Sequence, residues 1–126
     1  MSIPNLLMIW KTKEEIIMST ALGSKIKELR NSKGYTLEKL ADLTGSSKSY
    51  IWELENKHPP RPSAKKVSKI AEQLGVTIEY LMDEEENITL EDAADAQFYR
   101  KYQKMDVKTK KKIRSLTDLW DESDSE

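Results

Sequence analysis

Two short stretches with apolar residues three and four apart, TLEKLADLTG and SSKSYIWELENK, meet at Gly45, and that junction constrains the chain more than any other feature. In the first, Leu37, Leu40, Ala41 and Leu43 fall at helical spacing. Thr36 stands where its side chain accepts from the first free N–H groups, and Gly45 supplies the left-handed residue that ends a helix. In the second, Ser46 or Ser47 occupies the cap, while Ile51 and Leu54 point inward. The small Ala41 lets the second helix approach the first closely. Lys48, Ser49, Trp52 and Glu53 are then left on the outer side of the second helix, a set that core packing does not call for.

Other stretches follow the same period. ALGSKIKELRNSKG carries Leu22, Ile26 and Leu29 and stops at Gly34, and AKKVSKIAEQLG carries Val67, Ile70, Ala71 and Leu74 between a Ser63 cap and Gly75. HPPRPS separates that helix from the one before it, because its prolines remove donors and fix φ. VTIEYLM reads as a short fifth helix capped by Thr77, with Ile78 and Leu81 facing the core. Beyond an acidic run, LEDAADAQFYRKYQKM places Leu90, Ala94, Phe98, Tyr102 and Met105 on one face. Asp106 caps VKTKKKIRSLTDLW, with Ile113, Leu116 and Trp120. The expectation is an all-α chain: an N-terminal extension over 1–20, a five-helix domain over 21–82, an acidic linker over 83–89, a helical hairpin over 90–120 and an acidic tail over 121–126. Met18, just before the domain, is an alternative start.

Composition narrows the function classes. The chain has 126 residues, no cysteine and one histidine, His58, which excludes disulfides, thiolate metal sites and a cysteine nucleophile. No metal or cofactor site is expected, and with no nucleophile, metal cluster or phosphate-cradling loop the chain does not read as an enzyme. The apolar start IPNLLMIW is too short for a membrane span and lacks the flanks of a signal peptide, so a cytoplasmic protein without membrane contact is expected. Net charge is −1, but residues 21–82 hold 11 Lys/Arg against 7 Asp/Glu, while residues 83–126 hold 8 against 13. A basic domain before an acidic-ended tail suits a polyanionic partner.

Helix, short turn around Gly45, helix is the layout of a helix-turn-helix, whose second helix lies in the DNA major groove. The run LGSKIKELRNSKGYTLEKLADLTGSSKSYIWELEN, followed by PSAKKVSKIAEQLGVTIEYLM, resembles the Cro/repressor (XRE) family over about sixty residues. The resemblance implies a five-helix Cro/repressor-type domain binding double-stranded DNA, usually as a homodimer. It places base readout on Lys48, Ser49 and Glu53, with Tyr50 and Trp52 beside them. Phosphate contact falls on Thr36, Ser47, Asn56, Lys57 and Arg61, and a structural ion pair on Arg30 and Glu55. Lysine suits guanine O6 and N7, glutamate cytosine N4, and an aromatic edge a thymine methyl. Other roles stay open: Lys48 on a phosphate, Glu53 on a neighbouring lysine, Trp52 against the first helix of the pair or the proline loop. Two positions depart from the family. Leu37 stands where many members carry glutamine, and His58, Pro59 and Pro60 follow Lys57 where a glycine is common.

The leading expectation is a sequence-specific transcriptional repressor whose homodimer reads an inverted repeat. Its dimer surface is either the fifth helix, with Ile78, Tyr80, Leu81 and Met82, or the hairpin, with Phe98, Tyr99, Tyr102, Ile113, Leu116 and Trp120. Alternatively, the hairpin folds back on the domain as a private mini-core. The second functional expectation is an antitoxin, its C-terminal region covering a toxin or other protein partner.

Overall fold

A computed structural model of the chain describes residues 13–57 and 62–124, with side chains from Leu22 to Asp121 outside 58–61. Among these residues all regular structure is helical. The helices are α1 Lys13–Ser32, α2 Leu37–Thr44, α3 Lys48–Asn56, α4 Ala64–Leu74, α5 Ile78–Leu81, α6 Leu90–Gln103 and α7 Val107–Asp124. α1 begins at Lys13, inside the segment expected to be an extension. KEEIIMST contains no proline or glycine to break a helix.

Local chemistry sets most other boundaries. Thr36, Ser47, Ser63 and Thr77 each accept, through a side-chain oxygen, the backbone N–H three residues on. Thr89 does the same for α6. Asp106 accepts from Thr109 N at 2.7 Å at the start of α7. Hydrogen bonds from Thr109, side chain first and backbone second, hold that carboxyl below the ordinary aspartate range. α2 stops at Gly45, with φ +65°. Nothing lies within 4 Å of where a Cβ on Gly45 would stand. The strain of a side chain there is the backbone's alone, so Gly45→Ala should lose about 1–2 kcal/mol. An unchanged Tm in a calorimetric scan of that variant would remove this account of the turn.

α1 packs against α3, α4 and α5, α2 against α3 and α4, and α4 against α5. Ile26, Leu40, Ile51, Leu54, Ile70 and Leu81 are fully enclosed in the resulting core. Leu81 is therefore not a dimer-surface residue: its side chain is used up inside the domain. Ile78 and Tyr80 are partly buried against the same core, which leaves Met82 as the exposed apolar residue at the end of α5.

The acidic linker is a fixed loop rather than a free tether. Lys25 Nζ donates to the carbonyls of Tyr80 and Asp83 at 2.8 and 2.9 Å and lies over the Tyr80 ring at 4.5 Å. Asp83 Oδ2 accepts from Ile88 N at 2.7 Å, and Glu86 takes φ +55° in the bend between them. α6 then docks on the domain through Ala93, which is buried, and Gln97, whose Nε2 donates to Val76 O at 2.6 Å. Arg100 completes that face, pairing with Glu79 at 3.3 Å. Leu90, Ala94 and Phe98, the apolar stripe expected either to fold back on the domain or to form the dimer surface, are exposed. α7 does not pack along α6. The described ring contacts between them lie at the turn, where Lys110 and Arg114 cover Tyr102.

Candidate nucleic-acid interface

The outward face of α3 is held by what lies behind it. Ile51 and Leu54 anchor the helix in the core, and Glu55, one residue on, faces Arg30 of α1. Arg30 Nε donates to Glu55 Oε2 at 2.8 Å and its Nη2 to Oε1 at 3.0 Å, a two-point clamp with the Glu55 side chain only 1% exposed. The remaining nitrogen, Nη1, donates to Tyr35 O at 2.9 Å in the loop before α2. One guanidinium thus ties α1, the entry to α2 and the end of α3 together. Hydrogen bonding to Glu55 outweighs burial and pushes the Arg30 pKa above its already high ordinary value.

Lys48, Ser49, Trp52 and Glu53 lie together on the exposed side of α3. Lys48 Nζ reaches Glu38 of α2 at 3.2 Å, both side chains largely in solvent, so the pair is loose enough to exchange for another anion. Trp52 is 43% exposed, with Lys57 Nζ 5.8 Å from its ring centroid, so an aromatic plane and a cation are offered side by side. Tyr50 is different. Its ring packs against the core, its hydroxyl accepts from Ser63 N at 3.3 Å, and Lys66 lies over it at 4.6 Å. It braces α3 against the start of α4, on the side away from Trp52.

Of the expected phosphate contacts, Thr36, Ser47, Asn56 and Lys57 are exposed. The Thr36 and Ser47 oxygens are occupied as caps, accepting from Lys39 N and Tyr50 N at 3.0 Å each. What α2 and α3 present to an anion is therefore their remaining first-turn N–H groups. Asn56 Nδ2 donates to Trp52 O at 2.9 Å, and Lys57 is exposed beyond it. Arg61 lies outside the described residues, as do His58, Pro59 and Pro60. Glu38, Tyr35 and Lys66 were not anticipated from the sequence. Each acts through a neighbour on another helix or loop, which residue spacing does not reveal.

Among the described residues no group of His, Cys, Asp or Glu could hold a metal ion, and no helix is long and apolar enough to cross a membrane. A helix-turn-helix family model matches residues 26–81. The chain is 32% identical over 77 residues to the HTH-type transcriptional regulator SinR of Bacillus subtilis (strain 168), covering 61% of this chain and 69% of that protein. A solved structure of the biofilm master regulator SinR in complex with DNA is 35% identical, covering 49% of this chain and 98% of that one, at TM-score 0.47. A SinR/SinI protein complex is 29% identical over 83% of this chain and 99% of that one, at TM-score 0.48.

Proposed function

We propose, from the premise that this chain belongs to the Cro/repressor-type helix-turn-helix family of DNA-binding transcriptional regulators, that it is a repressor binding an inverted-repeat operator as a homodimer. The observation that carries this reading is the exposed Lys48, Ser49, Trp52 and Glu53 face of α3, clamped from behind by Arg30 and Glu55. A helix set at a defined angle on a buried ion pair presents the same side chains to every major groove it enters. Lys48 and Ser49, at the helix start, are the first to meet base edges, and release of Lys48 from Glu38 frees it for guanine or phosphate. Asn56 and Lys57, at the helix end, hold phosphates and set the register.

The homodimer reading is supported by the apolar surface that α6 and α7 leave open. Phe98, Leu116 and Trp120 are exposed, and among the described residues no helix packs along the length of α7. A lone amphipathic helix gains little stability in water without such a partner, and a second copy offers the same uncovered face.

Selection of random duplex DNA by the purified protein at about 0.15 M salt tests the reading. The expected product is an inverted repeat with half-sites about one helical turn apart. Ser49→Ala and Glu53→Ala should then shift which bases are kept. Lys57→Ala should weaken every sequence alike and flatten the slope of log K against log salt by about 0.9. Absence of any enriched sequence from the well-folded protein would overturn operator binding.

A further inference from the structure

We propose that the turn of the C-terminal hairpin is a second DNA-binding surface, which holds the phosphates of duplex flanking the operator. This rests on the operator reading above. All eight Lys/Arg residues of the chain beyond residue 82 fall between Arg100 and Arg114, with Asp106 the one acid among them. Acids fill the stretches on either side, at 83–95 and from Asp118 onward. The tail is therefore three blocks of alternating sign.

The basic block is not balanced internally. Arg100 is engaged by Glu79, and Lys110 and Arg114 lie over Tyr102. Lys101, Lys104, Lys108, Lys111 and Lys112 are all exposed and form no ion pair with a described carboxylate. None of the five has an Asp or Glu three or four residues away along the chain. Helices that need only solubility interleave the two signs at that spacing. Here five like charges are kept together against their own repulsion, as expected when the counter-charge comes from outside.

Placement says which polyanion this is. Lys101 and Lys104 line a groove of about 600 Å³ together with Lys33 and Tyr35, in the loop that follows α1 and leads to Thr36, the cap of α2, and with one acid, Glu72. α6 thus brings the basic turn beside the entry to α2, and Lys108, Lys111 and Lys112, which with Leu116 and Leu119 line one depression on α7, continue the charge outward beside the apolar side of that helix. Lysine presents a compact charge without arginine's fork, so the contact reads the backbone and not the bases. Duplex continuing past a half-site is the polyanion that the family's own chemistry supplies next to α2.

The test uses the full chain and two duplexes with the same selected core, one ending at the core and one extended by about a helical turn on each side. Wild-type protein should bind the extended duplex about tenfold more tightly, with a salt slope steeper by about two to three units. The K108Q/K111Q/K112Q variant, checked by sedimentation to assemble as wild type does because its lysines border Leu116, should bind the core duplex as wild type does and lose the gain from the flanks, whatever their sequence. Equal wild-type affinity for the two duplexes, or a gain that survives in the variant, overturns the proposal. If a scrambled core binds as tightly as the selected one, operator reading fails. A flank gain that the variant abolishes would still support the hairpin surface in that case.

Discussion

Arg30→Ala is expected to destabilise the domain by about 3–5 kcal/mol, because it leaves Glu55 buried without a counter-charge. The substitution also strips Tyr35 O of the donor at 2.9 Å that fixes the loop into α2. Small domains are stable by roughly 5–15 kcal/mol, so the variant should be substantially unfolded at modest urea concentrations, with a lowered midpoint and an unchanged slope. Glu55→Ala should cost a similar amount, from the stranded guanidinium. Replacing both partners with apolar residues of similar volume, Arg30→Met with Glu55→Leu, should recover much of the loss, since neither charge then remains in the core. The Lys48–Glu38 pair provides the contrast: its side chains are 59% and 71% exposed, and Glu38→Ala should change stability by less than about 1 kcal/mol. Equal, small losses at Glu38 and Arg30 would mean that burial does not set the strength of the clamp.

The clamp was legible in the sequence only through resemblance, whereas the helix ends were legible from the residues themselves. Thr36, Ser47, Ser63 and Thr77 cap, and Gly45 and Gly75 terminate, because capping is decided within three or four residues of chain. Features decided across the fold were not readable in this way. Apolar spacing put Leu90, Ala94 and Phe98 on one face of α6 but left open whether that face meets the domain or a second copy. The domain instead accepts Ala93, Gln97 and Arg100, because it offers close approach, a free carbonyl at Val76 and a carboxylate at Glu79. Spacing put Leu81 toward the core, where it lies, but did not by itself remove it from the dimer candidates of the same helix. Tyr50 sits beside the reading residues in sequence, yet Ser63 and Lys66 draw it to the opposite side of α3. The basic turn of the hairpin was hidden by counting charge over residues 83–126 as a whole, which averages blocks of opposite sign.

The second large effect is expected from the apolar side of the hairpin, where Leu116→Glu with Trp120→Glu should turn the proposed dimer into a monomer and weaken operator binding at least about a hundredfold. Trp120 is 74% exposed and Leu116 lies one turn before it on α7, so neither supports the fold of its own protomer. Two carboxylates facing their own copies across a two-fold interface repel, and leaving them there desolvated costs more than the contacts they replace. Loss of the dimer removes the linkage between half-sites, whose effective concentration supplies a factor of about 10²–10⁴ in affinity. Sedimentation velocity would read the change of mass, and titration of the full inverted repeat and of a single half-site would read its consequence. The half-site affinity should be unchanged, because α2 and α3 are intact. A variant that still sediments as a dimer would move the interface away from α7 to the neighbourhood of Met82, the apolar residue that α5 leaves exposed. A monomer that binds the full operator as tightly as the wild type would instead separate assembly from DNA affinity.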